Sequence, residues 1–376
     1  MNFQYYLPVN LIFGAGKASQ IGTETAKYGK KALIVTGYNS TKKSGLLDRA
    51  IALLKESEVS YEIFDKVAQN PLTTTVYEGA ALAKETGCDV ILGLGGGSIM
   101  DAAKSIAFSC VNEGDLSDYI FGHKFGATAL PIVLVPTTAG TGSEGNHFSV
   151  LTNPETNDKK SLRTAAIFAK ASIIDPELMM TMPKNIIASV GFDALSHNME
   201  AYVARMGQPL TDMQALYGIE LLAQNLLKVY HDPTDIKAWE CVTLASTLGG
   251  MVIGAAGVAA AHGMEHPASG LRDVVHGKGL AALTPIVIEK SIEGAPDKFA
   301  AMSKLLGGTG AKDCADSVRK LLAALGLTTT LGELGITHED VEWMTENCIK
   351  VSTPSMMNNP KQFTVEEIKE IYHLAI

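Results

Sequence analysis

A chain of 376 residues exceeds one ordinary hydrophobic core, and with 46% hydrophobic residues it carries enough apolar material for two domains. The net charge of -9, from 31 basic and 40 acidic residues, excludes the basic footprint that nucleic acid or an anionic membrane requires and leaves small molecules as the expected partners. Five cysteines, Cys88, Cys110, Cys241, Cys314 and Cys348, are odd in number and show no C-x-x-C spacing, which fits a reducing cytoplasm and excludes a disulfide framework or a zinc ribbon.

The N-terminal stretch MNFQYYLPVNLIFG has no basic region followed by a long apolar core, so no signal peptide is read and the expected location is cytoplasmic. GAGK, after Phe13, lacks the spacing of a Walker A loop and reads as a tight turn after a strand. KKALIVT, ending at Thr36, VSYEIFDKV and DVILGL are short apolar or β-branched runs, expected as buried parallel strands, with helical stretches such as LLDRAIALLKES between them. This alternation, up to about residue 180, predicts a doubly wound α/β domain with a ligand crevice at the carboxyl ends of its strands.

Two glycine-rich loops follow apolar strands in this half. In GLGGGSIMDAAKSIAF, Ser98 and Asp101 have the spacing of a capping box, while three successive glycines exceed what a turn requires and would let backbone N–H groups approach a pyrophosphate. The spacing is not G-x-G-x-x-G. In PIVLVPTTAGTGSE the hydroxyls of Thr137, Thr138, Thr141 and Ser143 lie among glycines; turn chemistry accounts for them singly, and beside the first loop they suit phosphate and ribose. After KKALIVT, an NAD site of this architecture commonly carries an acidic residue, and here Gly37 stands instead. YNSTKKSG then supplies Ser40, Lys42 and Lys43, a set able to bind a 2′-phosphate, although a solvated turn with two surface lysines has the same sequence. The expected cofactor is NADP(H) in preference to NAD(H).

Beyond Met182 the β-rich texture disappears, which predicts an all-helical domain closing with the amphipathic TVEEIKEIYHLAI and places the domains at 1–182 and 183–376. Cys241 to Ala261 is 21 residues without a charge, long enough to span a bilayer. Its Ala, Gly, Thr and Ser content, its Gly250 and Gly254 pair, and the histidine that follows it favour a buried helix. PSMMNNP, Pro354 to Pro360, reads as an ordered loop.

AHGMEHPASGLRDVVHG, Ala261 to Gly277, holds His262, His266 and His276, three of the nine histidines. Upstream, GFDALSHNME sets Asp193 and His197 four residues apart, a spacing that a helix offsets by only ~40°. His262 and His266 repeat it. A lone histidine on an apolar helix is usually a hydrogen-bonded core residue, but one carboxylate with several imidazoles forms an N/O set suited to Fe(II), Zn(II), Co(II) or Mn(II).

Together these stretches resemble the iron-containing (group III) alcohol dehydrogenases. The resemblance is carried by G-x-D-A-x-x-H, by H-x-x-x-H-P-x-x-G-x-x-x-x-x-H-G, by GGGSIMD at Gly95 to Asp101, by PTTAGTGSE from Pro136 to Glu144 and by DPEL at Asp175 to Leu178. It implies metal ligation by Asp193, His197, His262 and His276, with His266 unligated and a candidate to pass a proton toward solvent. It also assigns Gly96, Gly97, Ser98, Asp101, Thr137, Thr138, Thr141 and Ser143 to the dinucleotide, with Asn70, Lys160 and Leu178; whether Lys159 or Lys160 faces the cofactor stays open. The G-x-x-S-x-K-K-x-G run from Gly37 resembles NADPH-dependent butanol dehydrogenases and related aldehyde reductases.

The implied plan is that of dehydroquinate synthase: an α/β dinucleotide-binding domain followed by an all-α metal-binding domain, with the active site in the cleft between them. The implied activity is hydride transfer between NADP(H) and a small alcohol or aldehyde, with Fe(II) as the metal and Zn(II) also accepted by the ligand set, in a homo-oligomer of two or more subunits that meets neither membrane nor nucleic acid. Three alternatives share the fold: a lyase or synthase, a polyol dehydrogenase, and a binding protein without catalysis. A lyase acting on a phosphorylated substrate needs several cations at the metal, whereas Ala255 to Ala261 offers none and Arg272 is the only arginine between His262 and His276.

Overall fold

The computed structural model describes residues 2–376. It divides into two compact units, one made of Leu7–Thr156 and Lys160–Thr181, the other of the residues up to Tyr6, Asn157–Lys159 and Met182–Ile376. The first unit carries the strands β1 (Asn10–Phe13), β2 (Lys31–Gly37), β3 (Ser60–Val67), β4 (Val90–Gly95), β5 (Ile132–Pro136), β6 (Phe148–Thr152), β7 (Lys159–Arg163, entered from the second unit at Lys159) and β8 (Ala171–Ile174). Its helices are α1 (Ile21–Ala26), α2 (Ser40–Lys43), α3 (Leu46–Glu56), α4 (Thr73–Thr86), α5 (Gly97–Ser109) and α6 (Leu116–Ile120).

Six strands form one sheet in the order β1-β8-β5-β4-β2-β3, every pair parallel, and β6 with β7 forms a second. Alternating side chains of the central strands feed two cores, as a parallel sheet covered on both faces demands. Leu33, Val35, Ile91, Ile132 and Leu134 join Phe64, Val76, Met100 and Ile106 on one face, while Ile34, Leu92, Leu94, Val133 and Val135 join Ile21, Leu47 and Leu54 on the other. GAGK is a turn: Gly14 and Gly16 have φ of 138° and 77°, and the Asp175 carboxylate accepts from the N–H groups of Gly16 and Ala18.

The second unit is helical: α7 (Lys184–Val203), α8 (Pro209–His231), α9 (Ile236–Ala256), α10 (Ala260–Arg272), α11 (His276–Ser291), α12 (Pro296–Leu305), α13 (Cys314–Ala324), α14 (Val341–Asn358) and α15 (Val365–Ala375). The last starts at a capping box of Thr364 and Glu367. Helix α7 is buried nearly all round from Ile187 onward, against α8 and α9. Gly249 of α9 makes that approach feasible, since a Cβ there would meet Asn198 Nδ2 at 2.9 Å and His197 Cβ at 3.3 Å. By length and composition α9 could cross a membrane, yet 61% of its most apolar window is buried inside the protein.

The expectation of a loop at Pro354–Pro360 is corrected. Helix α14 continues through Pro354 to Asn358. The lost helical bond is offset by tertiary ones: Asn358 Nδ2 donates to the carbonyls of Ala256 and Val258, and its Oδ1 accepts from the Met206 N–H. A second proline in a helix, Pro267 of α10, leaves the Gly263 carbonyl without its usual donor, and the Cys348 thiol supplies one at 3.4 Å. All five cysteines are free, and burial pushes the thiols of Cys314 and Cys348 up to about 12.

Candidate metal centre and dinucleotide loops

Asp193, His197 and Glu200 lie along one face of α7, His262 and Glu265 come from α10, and His276 opens α11. Asp273, in the left-handed region at φ 50°, ends α10 and turns the chain so that α11 begins three residues later. Asp193 Oδ1 becomes the hub. It lies 3.7 Å from His197 Nδ1, 3.5 Å from His262 Nε2 and 3.6 Å from His276 Nε2. Ligand atoms of Asp193, His262 and His276 fall within 4.8 Å of one another, and the His197 ring, outside that trio, stacks on His262 with centroids 4.5 Å apart.

These residues fit a divalent ion. Asp193 Oδ1, His197 Nδ1 and His262 Nε2 are buried and have no hydrogen-bond partner, an expensive arrangement unless something else meets them. Their spacing is long for a hydrogen bond but suits atoms that each sit roughly 2.1 Å from a shared ion. Carboxylates hold the far side of two imidazoles: Glu200 Oε1 lies 2.5 Å from His262 Nδ1, and Glu265 Oε2 accepts from His276 Nδ1. This holds the Nδ1 side of both rings and turns Nε2 to Asp193, the usual device for orienting a metal-binding histidine.

Charge is concentrated here. Burial alone would raise the Asp193 carboxyl, but His197, His262 and His276 hold it below the carboxylate range. Burial pushes His197 down to about 4, whereas at His262 Glu200 and Asp193 overcome burial and lift it to about 10. His266, half-buried and outside the trio, has its ring 5.9 Å from that of His276, and burial holds it well below its ordinary value.

In the α/β unit, β4 runs into Gly95 and Gly96, and Gly97 starts α5. The expected capping box is absent: Gly96 is the N-cap, Ser98 lies inside the first turn, and the Asp101 carboxylate accepts from Ser143 Oγ at 2.6 Å and the Val150 N–H at 2.9 Å. The hydroxyl loop lies directly against the glycines. A Cβ at Gly96 would meet Thr138 Oγ1 at 2.9 Å, and one at Gly97 would meet Thr141 Cγ2 at 2.3 Å, so these positions need glycine for packing as well as for any ligand. Thr137, Thr138 and Thr141 are half-buried at this turn. Ser143 departs from its expected cofactor role, because its hydroxyl is buried and engaged by Asp101 and by Lys104 Nζ at 2.7 Å.

The other expected contacts are dispersed through the unit. Gly37 ends β2, and a Cβ there would lie 3.2 Å from the Val67 carbonyl oxygen. Ser40 and Lys43 are exposed on α2, but Lys42 is ion-paired with Asp65 of β3, which any phosphate would have to displace. Asn70 adopts φ 43°, and Leu178 packs against the core that holds Val133 and Val135. The two adjacent lysines part ways: Lys160 Nζ lies over the Phe121 ring at 5.5 Å, while Lys159 turns into the helical unit beside Glu265.

Sequence reasoning missed Glu200, Glu265 and Lys104, and named Lys159 only as an alternative to Lys160 facing the cofactor. A signal existed for the first two, since HNME and HGMEH place a glutamate three residues from a histidine, one helical turn away. Lys104 had a weaker one, one turn beyond Asp101 in GGGSIMDAAK.

The family model for iron-containing alcohol dehydrogenase matches residues 8–176, and that for the Fe-containing alcohol dehydrogenase family, C-terminal, matches residues 187–376. The chain is 34% identical to 1,3-propanediol dehydrogenase of Citrobacter freundii, covering 99% of this chain and 98% of that one. It is 30% identical to NADH-dependent butanol dehydrogenase A of Clostridium acetobutylicum, over 99% of each. The crystal structure of an archaeal halo-thermophilic alcohol dehydrogenase from a Red Sea brine pool is similar at a TM-score of 0.95 and 34% identity, covering 100% of this chain and 99% of that one. The chain belongs to the iron-containing alcohol dehydrogenase family. It is a metal- and nicotinamide-dependent alcohol dehydrogenase.

Proposed function

We propose that residues 183–376 hold Fe(II), or Zn(II) in its place, through Asp193, His197, His262 and His276, that residues 1–182 bind NADP(H), and that the enzyme interconverts short aliphatic alcohols and aldehydes. The observation that carries this is the set of buried, partnerless ligand atoms around Asp193 Oδ1, backed by carboxylates on the opposite imidazole nitrogens. A divalent ion there supplies a Lewis acid and the nicotinamide a hydride donor or acceptor. The protein's task is to aim the four ligands, with Glu200 and Glu265 holding the Nδ1 side of His262 and His276. Arg272 is paired with Asp340 and Lys159 with Glu265, so neither stands free for a phosphorylated lyase substrate. Oxidation of NADPH followed at 340 nm with a panel of short aldehydes tests the reading, and no turnover in metal-loaded protein with any of them overturns it.

His266 is the proposed proton conduit. Its ring lies 5.9 Å from that of His276, outside the trio of ligand atoms, and burial holds its pKa well below the ordinary value. His266→Ala is expected to keep stoichiometric metal and to lose about 10²-fold in kcat with an altered pH profile. Loss of metal in this variant would make His266 a ligand instead.

For the cofactor, NADP(H) preference is supported by the absence of a carboxylate at Gly37 and by Ser40 and Lys43 on the adjacent turn, against the NADH dependence in the name of the butanol dehydrogenase relative. One charged hydrogen bond to the 2′-phosphate favours NADPH by roughly tenfold or more. The ratio of kcat/KM for NADPH and NADH should show that preference in the wild type and its reversal in Gly37→Asp; a wild type faster with NADH contradicts it. A cytoplasmic location is proposed as well, and a homo-oligomer, the latter supported by the exposed apolar residues Met206, just before α8, and Leu210, Met213 and Tyr217 in its first half.

A further inference from the structure

Lys159 begins β7 in sequence but packs with the helical unit. Its side chain is 5% exposed, and its ammonium lies 3.6 Å from Glu265 Oε2, the same oxygen that accepts from His276 Nδ1. Glu265, fully buried, has its other oxygen on Ser269 Oγ. The neighbours of Lys159 are pinned too. Asp158 accepts from Asn347 Nδ2 and Lys350 Nζ, each at 2.7 Å, and the Asn157 carbonyl oxygen lies 2.2 Å from where a Cβ of Gly270 would stand.

We propose that Lys159 is a positioning residue of the metal centre, holding Glu265 so that Glu265 can hold His276. The proposal rests on the reading of His276 as a ligand. Glu265 reaches no solvent, and a buried carboxylate keeps its place only beside a counter-charge and donors. Ser269 fixes one oxygen; Lys159 is the cation beside the other. With the ligand imidazoles neutral, as ion binding requires, three buried carboxylates, Asp193, Glu200 and Glu265, against the one ammonium of Lys159 leave two net negative charges, the match for a divalent ion. Lys159 by itself repels a cation. Anchoring and bare electrostatics therefore predict opposite signs when it is removed.

The test is the dissociation constant for Zn²⁺, measured by competition with a chromogenic chelator, together with the visible spectrum of the Co²⁺-loaded protein. Lys159→Met should bind Zn²⁺ about 10- to 100-fold more weakly, the usual effect of removing a group that orients a ligand, and should alter the Co²⁺ bands. Unchanged or tighter binding overturns the proposal. Glu265→Gln should weaken binding similarly, and Lys159→Met combined with Glu265→Gln, which removes both charges, should bind better than the product of the two effects predicts. A multiplicative double variant would show that Lys159 acts independently of Glu265. If Lys159→Met does not fold, Lys159→Arg should bind Zn²⁺ more tightly than Lys159→Gln, and equal affinities overturn the idea. His276→Ala is measured alongside: full Zn²⁺ affinity there refutes the ligand assignment, whereas loss there with none in Lys159→Met refutes only the role of Lys159.

Discussion

His276→Ala should abolish stoichiometric metal binding and lower turnover by about 10³-fold or more, while the affinity for NADPH stays within about twofold of wild type. His276 opens α11 and shares its Nε2 with Asp193 Oδ1 at 3.6 Å, so its removal takes one corner from a trio of ligand atoms. A Lewis acid usually contributes several kcal/mol to stabilising charge on a reacting oxygen, and about 4 kcal/mol corresponds to three decades in rate. The glycine and threonine loops lie in the other unit, which is why dinucleotide binding should survive. Elemental analysis of protein purified without oxygen, with a fluorescence titration by NADPH, reads both halves of the result. Full metal content in the variant would remove His276 from the site.

Lys104→Met should destabilise the protein by about 3 kcal/mol at neutral pH, because several buried acceptors lose a charged donor together. Lys104 is fully buried in α5, and the three N–H groups of its ammonium are shared among the Ser143 carbonyl at 2.5 Å, Ser143 Oγ at 2.7 Å, Asn146 Oδ1 at 3.2 Å and the Phe148 carbonyl at 2.8 Å. No ordered loop from Ser143 to Phe148 is expected without it. The pH dependence separates this role from simple volume loss. Burial lowers the Lys104 pKa from 10.5 to about 8, so between these values the unfolded chain holds a proton that the native state has released. Stability of the wild type from this group therefore rises as pH goes from about 8 to 10.5, and the variant lacks that rise. The gap between the two in denaturant unfolding should widen over that range; a constant gap would contradict the assignment.

Much of this architecture could be read in advance, for reasons that can be named. The runs KKALIVT, DVILGL and PIVLVP are apolar on both alternating faces, which only a doubly covered parallel sheet tolerates, and they became β2, β4 and β5. Asp193, His262 and His276 were legible as chemistry because imidazoles at helical spacing are rare enough to need a reason. What supports them was not. Glu200 and Glu265 resemble surface glutamates until the helices pack, and Lys159 touches Glu265 only because a strand boundary far upstream folds onto α10. Local rules failed where tertiary contacts outweighed them. Ser98 and Asp101 match a capping box in spacing, but Ser143 and Val150 drew the Asp101 carboxylate away, and Pro354 stayed inside α14 because Asn358 had three partners beyond it.

The placement of Asn157–Lys159 also governs how relatives of this enzyme can be recombined. A crossover drawn near Pro183, where the texture changes from strands to helices, would give the helical half of one parent a tripeptide tip from the other. Asp158 would then face a foreign Asn347 and Lys350, and the ammonium beside Glu265 would come from a sequence not selected against that glutamate. Chimeras that carry residues 157–159 along with the helical half keep these partners together, and those that split them should express with less bound metal even though every ligand is present. On the proposed role of Lys159, the inheritable module of the metal centre is discontinuous, a helical block plus three residues from far upstream in the chain.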